Sequence, residues 1–195
     1  MKRSILTVNT ITIGMKAKKA LSKRGIKSAL VKIDSSKTQM GCQYGLEFYE
    51  KDFYAAKGFC GFNPNAAITV HTIKEMGLRI ALATNPIFPA VATESRIRWA
   101  GLEPDDFELY TTYENIGYCK PNPEYYKEIA RQLGVSAEHC LMVGNDVTED
   151  MEAAQEAGMN VFLLTDSLIN KERKDISTYP RGSFKQLLDY GNELL

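Results

Sequence analysis

Cys140-Leu-Met-Val-Gly-Asn-Asp146-Val-Thr-Glu-Asp150 sets a short apolar run against a polar turn, with a second acid four residues on. Residues 140–143 suit a strand buried on both faces, since a short apolar run bounded by a turn signal has that pattern. Residues 148–157 suit a helix, stopped by Gly158. The same alternation extends on both sides. Asn63-Pro64 opens a helix to about Met76, and Leu78–Ala83 reads as a strand ending at Thr84-Asn85-Pro86. A helix over 90–100 stops at Gly101, and residues 106–110 make a short strand. Lys120-Pro121-Asn122-Pro123 introduces a helix over 123–133 closed by Gly134, residues 160–164 form the last clear strand, and residues 184–190 a closing helix. Strands alternating with helices predict an α/β fold with a parallel sheet covered on both faces.

In such sheets ligands bind at the carboxyl ends of the strands. Four polar residues fall there: Thr84 after 78–83, Lys120 in the loop after 107–110, and Asp146 with Asp150 after 140–143. A hydroxyl, an ammonium and paired carboxylates suit a phosphate and a Mg²⁺ ion. The hydroxyl donates to phosphate oxygens, the lysine offsets their charge, and hard carboxylate oxygens hold a cation that keeps several waters. Each residue also has an ordinary structural role open to it: Thr84 as a strand-end cap, Lys120 on the surface, Asp146 as the N-cap of the helix that follows.

Taken together, these stretches resemble the haloacid dehalogenase (HAD) superfamily, most of whose members are phosphatases. The resemblance covers residues 47–195. Leu82-Ala-Thr84-Asn85-Pro86 is similar to its second motif, Cys119-Lys120-Pro121-Asn122-Pro123 to its third, and Val143-Gly144-Asn145-Asp146 through Asp150 to its fourth. The resemblance implies a Rossmann-like core, Thr84 and Asn85 at the phosphate, Lys120 beside nucleophile and phosphate, and Asp146 and Asp150 at Mg²⁺. The superfamily's first motif, an apolar strand ending Asp-x-Asp, occurs nowhere in the chain. The cap that usually follows it is nearly absent, with the aromatic-rich residues 47–62 resembling its last stretch. One partial substitute exists: Leu30-Val-Lys-Ile-Asp34-Ser-Ser36-Lys-Thr38 places Asp34 where the nucleophile would stand and Ser36 where the acid/base Asp would stand. A serine does not shuttle protons at neutral pH as a carboxylate does, so turnover is expected to be weakened or lost.

The N-terminal segment differs in charge. Residues 1–40 hold ten basic residues and one acid, a net +9, and the other 155 hold 14 basic and 23 acidic residues, a net −9. Residues 4–13 read as a strand, 15–24 as a helix and 28–33 as a second strand, a β-α-β unit with its strands expected parallel. With the turn Gly41-Cys42-Gln-Tyr44-Gly45-Leu46, this resembles a family of unknown function described as sulfur- or selenium-carrier-like, over residues 3–48. In that reading Cys42 is the active thiol, and a non-catalytic carrier or phosphate- and metal-binding protein is the alternative to a hydrolase. The sequence divides into a carrier-like segment, 1–46, and a HAD-like core, 47–195. In the superfamily the first-motif strand lies between those here assigned to 78–83 and 140–143. A strand from the N-terminal segment, 28–33 before 4–9, is therefore expected to fill that gap, because two open inner edges invite aggregation.

The chain is 195 residues long, 44% hydrophobic and 25% charged, with zero net charge, an ordinary globular composition. No apolar run reaches the roughly 18 residues of a membrane span, and no signal peptide is read. Four cysteines (Cys42, Cys60, Cys119, Cys140) without Cys-x-x-Cys spacing, beside two histidines, argue against a zinc site and for a reducing cytoplasm. The absence of aromatic residues before Tyr44 leaves the basic segment no stacking platform for nucleic acid. A small phosphorylated metabolite is the expected partner.

Overall fold

The computed structural model describes residues 3–8, 11–23, 27–33, 43–49, 57 and 62–194. The chain forms two compact units, Met1–Phe62 and Asn63–Leu195.

The first unit contains β1 (Arg3–Val8), α1 (Ile11–Ser22), β2 (Ser28–Ile33) and β3 (Gln43–Tyr49). Its sheet has the order β1-β3-β2, with β3 antiparallel to both neighbours. The expected β-α-β unit is present, and β1 and β2 do run the same way, but they are split by β3. Leu46 is fully buried, in register with Leu6 on one side and Leu30 on the other.

The strand read over 4–13 ends at Val8, and the β-branched Ile11-Thr12-Ile13 start the helix. Helix propensities differ by only a few tenths of a kcal/mol among such residues, roughly the scale that packing overrides. The stretch 41–46, read as a turn, is from Gln43 onward the central strand of this sheet. Nor do 28–33 or 4–9 join the parallel strands. β1 (3–8) and β2 (28–33) are laddered to β3, whose two edges they satisfy.

The second unit is an α/β core with parallel pairing. It runs α2 (Pro64–Glu75), β4 (Ala81–Leu82), α3 (Ala90–Trp99), β5 (Leu109–Tyr110), α4 (Pro123–Leu133), β6 (Leu141–Gly144), a wide helical turn (Val147–Glu152) leading into α5 (Ala153–Glu156), β7 (Asn160–Leu164), β8 (Arg181–Gly182) and α6 (Phe184–Leu194). β4 pairs with β5, and β6-β7-β8 form a second parallel sheet. The caps follow the sequence signals. The Asn63 side chain accepts from Asn65 N at 3.0 Å ahead of Pro64, and Asn122 accepts from Glu124 N at 2.9 Å ahead of Pro123. α4 ends at Gly134 with φ +65°, a conformation that suits glycine.

Period-2 alternation along β7 builds the layers. Val161 and Leu163 pack with Met142, Tyr125, Tyr126, Ile129, Met151 and Ala154, on the side of α4 and α5. Phe162 and Leu164 face the other way, with Leu187, Phe184, Tyr190 and Ile73 of α6 and α2. β7 is thus covered on both faces, as an all-parallel strand must be. Ile97, Leu102 and Phe107 pack α3 and α2 against β4-β5.

Asp106 ties α2 to the turn before β5. Its carboxylate accepts from Glu103 N and from Lys74 Nζ, both at 2.9 Å. The backbone N–H first, then the lysine, holds its pKa below the ordinary value. A carboxyl lowered in the folded state contributes stability above its unfolded pKa, about 4, and loses it as pH falls through the folded value. The stability gap between the parent and Asp106→Asn is therefore expected to be full at pH 7 and to close below pH ~4, measured by urea denaturation across pH. In the core, Leu163→Ala is expected to cost about 3 kcal/mol. Leu168→Ala, at an exposed position, should stay within about 0.5 kcal/mol in the same assay.

Candidate active site

Three loops at the carboxyl ends of β4, β5 and β6 meet in the second unit. Asp146 follows β6 in an extended conformation, and its Oδ1 accepts from Thr148 N at 3.0 Å and Glu149 N at 2.9 Å. It is the N-cap, the structural role open to it in the sequence, and fills that role with one oxygen. Its Oδ2 accepts no protein hydrogen bond among the described residues. The Asp146 carbonyl takes both Asp150 N at 2.9 Å and Met151 N at 3.2 Å, which widens the first turn. Such wide turns cluster at functional sites.

The turn brings Asp150 back beneath the loop. Its Oδ2 accepts from Asn145 N and Asp146 N, each at 3.0 Å. Its Oδ1 lies 2.6 Å from Lys120 Nζ and 3.5 Å from the Tyr126 hydroxyl. The Lys120 and Asp150 side chains are 7% and 8% exposed. This approach requires Gly144, because a Cβ there would overlap the Asp150 carboxylate. The Lys120 ammonium also lies 5.8 Å from the Tyr125 ring centre and 5.7 Å from that of Tyr126, within cation–π range. The two rings meet edge-to-face at 5.0 Å. Burial, the largest cause, pushes both phenols well above the ordinary tyrosine pKa, so they remain donors.

Thr84 sits at the end of β4 with its backbone held on both sides. Its N–H donates to Thr111 Oγ1 at 3.0 Å, and its carbonyl lies 2.5 Å from Thr111 Oγ1 and 2.8 Å from the Tyr125 hydroxyl. Its own hydroxyl makes no hydrogen bond among the described residues. Asn85 follows, with Oδ1 buried and unpartnered there.

Thr84, Lys120, Asp150 and Asp146 are thus linked, Thr84 and Lys120 through Tyr125 and the two acids through the Asp146 amide, while Asn85 adjoins them only as the residue after Thr84. Asp34 and Cys42 lie outside the described residues, as do Ser36 and Cys60. Asp150, read from sequence as a second metal ligand, has both oxygens engaged by Lys120 and two amides. Sequence reasoning passed over Thr111, Tyr125, Tyr126 and Gly144. Thr111 carries a signal, a hydroxyl directly after a strand as at Thr84; the tyrosines carry none.

A family model of haloacid dehalogenase-like hydrolases matches residues 49–158, more than half of the chain. The chain belongs to the haloacid dehalogenase-like hydrolases. The match begins at residue 49, so the carrier-like resemblance of 3–48 draws no support from it. The glyceraldehyde 3-phosphate phosphatase of Methanothermobacter thermautotrophicus is 29% identical over 113 residues, 58% of this chain and 49% of that relative. This HAD-like chain spans about half the length of the curated relatives it matches. Two solved structures share its fold. A HAD phosphatase from Thermococcus onnurineus has a TM-score of 0.58 at 19% identity, covering 73% of this chain and 63% of that one. The HAD-hydrolase YfnB of Bacillus subtilis, bound to magnesium, has a TM-score of 0.56 at 23% identity, covering 67% and 56%. No helix among the described residues is long and apolar enough to cross a membrane.

Among the described residues no three His, Cys, Asp or Glu side chains cluster as metal ligands. The free Asp146 Oδ2 fits a Mg²⁺ ion all the same. Mg²⁺ typically takes one or two carboxylates and completes its shell with water and phosphate oxygens.

Removing Asp150 strands a buried lysine. Asp150→Ala is expected to destabilise the protein by about 3–5 kcal/mol, and Lys120→Met with Asp150→Leu to recover most of that, measured by urea denaturation.

Proposed function

We propose that the protein is a magnesium-dependent phosphohydrolase acting on a small phosphomonoester, slowed by the lack of an Asp-x-Asp motif. The observation that supports this reading best is the buried Lys120–Asp150 pair in one site with the free hydroxyl of Thr84 and the free oxygen of Asp146. Thr84 donates its hydroxyl proton to a phosphate oxygen. Lys120, held by Asp150, places a positive charge beside the transferring group. Phosphoryl transfer depends mostly on such positioning and charge. Asp146 Oδ2 would hold Mg²⁺, which when bound supplies further positive charge to the phosphate oxygens. Asp150 positions Lys120 and leaves the metal to Asp146. Asn85, next to Thr84, lines the phosphate side.

The sequence's candidate for the nucleophile is Asp34, which the substitution below tests. A carboxylate in that role would bond to phosphorus as the ester oxygen leaves, and water would then release phosphate from the acyl phosphate. Ser36 gives the leaving oxygen no acidic proton, so that oxygen takes its proton from water. Esters of acidic alcohols should therefore turn over far better than alkyl phosphates. The cytoplasmic setting belongs to the same reading and rests on four cysteines without paired spacing.

Hydrolysis of an aryl phosphate with and without Mg²⁺ tests the proposal. Mg²⁺-dependent turnover is expected, abolished by Asp34→Asn and by Asp146→Asn. Turnover indifferent to both substitutions, or none in the parent, overturns it. Ser36→Asp is expected to raise the rate on an alkyl phosphate by about 100-fold or more, the usual worth of a placed general acid.

A further inference from the structure

Tyr125 touches both halves of the site and is itself fully buried, so it acts on them without meeting a substrate. Its hydroxyl donates to the Thr84 carbonyl at 2.8 Å and lies 2.9 Å from Thr111 Oγ1. Thr111, also buried, grips Thr84 from both sides, accepting from its N–H and donating to its carbonyl. The ring of the same tyrosine faces the Lys120 ammonium at 5.8 Å. The strand-end peptide that orients the Thr84 hydroxyl and the cation from the next loop therefore lean on one rigid side chain. A peptide at the end of a two-residue strand has little else to fix it: β4 has only Ala81 and Leu82 in its ladder with β5.

We propose that Tyr125, acting with Thr111, is a positioning residue that sets the Thr84 turn for phosphate binding and seats Lys120 beside it. The proposal rests on the phosphate reading of the site above. It assigns Tyr125 no contact with substrate. Phenylalanine in its place keeps the ring beside Lys120 and removes the hydroxyl from Thr84, so the two functions separate. The Thr84 carbonyl keeps Thr111 as a donor in that variant, which lets the core survive.

Amide hydrogen exchange and calorimetric titration with inorganic phosphate, both on the full chain, test it. Tyr125→Phe is expected to speed exchange of the Thr84 amide about tenfold, leave the β6 and β7 amides unchanged, and weaken phosphate binding about fivefold, the scale of one hydrogen bond. Thr111→Val should do the same and Thr111→Ser should not. Unchanged exchange at Thr84 in Tyr125→Phe overturns the proposal whatever phosphate does. Faster exchange with phosphate bound as tightly as by the parent overturns it and leaves the phosphate reading standing. A parent that binds no phosphate overturns both.

Discussion

An ammonium and a carboxylate 2.6 Å apart, each more than nine-tenths buried, constrain everything around them. Taking two charges out of water costs several kcal/mol per ion, roughly, unless the remaining lone pairs and protons find partners. The surroundings of Lys120 and Asp150 meet much of that demand. Two backbone N–H groups fill the second Asp150 oxygen, and two aromatic faces line the lysine. The wide turn after Asp146 returns Asp150 to the loop, and Gly144 leaves room for it. A stabilising apolar pair would have been simpler to build. On the proposed reading, a charge pair at the carboxyl edge of the sheet serves to meet a phosphate.

The two acids of this loop, alike in sequence, are set apart by their partners. Asp146 gives one oxygen to the helix N-terminus and keeps one. Asp150 gives both to Lys120 and the loop amides. Asp146 keeps an oxygen open to a ligand, whereas Asp150 braces Lys120. The difference follows from one extra residue in the first helical turn, which no periodicity in Val147–Asp150 announces.

Much of the core was legible because its signals are local. Asn63-Pro64 and Asn122-Pro123 start helices where Asx caps and first-position prolines place them, and Gly134 stops one where a positive φ is needed. The runs 140–143 and 160–164 became β6 and β7 because apolar runs of that length must be covered on both faces. The N-terminal segment was read less well. Ile11-Thr12-Ile13 has the composition of a strand and starts a helix, and Gln43–Tyr49 follows Gly41 and contains Gly45, glycines that look like a turn. Strand partnership there is non-local. Residues 3–8 and 28–33 pair with a strand that comes after both, and no pattern within either segment names it.

The sequence by itself determined the element types of the second unit apart from β8 and the wide turn at Val147–Glu152, the placing of Thr84, Lys120, Asp146 and Asp150 after strands, and the absence of an Asp-x-Asp motif. All of these follow from residue identity and short-range spacing. Tertiary structure alone decided which oxygen of Asp146 stays free, that Asp150 braces a lysine, and that Thr111 and Tyr125 hold Thr84. It also decided that β3 divides β1 from β2. Each of these is a contact between residues far apart in the chain, and such contacts depend on how faces pack and which buried polar groups must find partners.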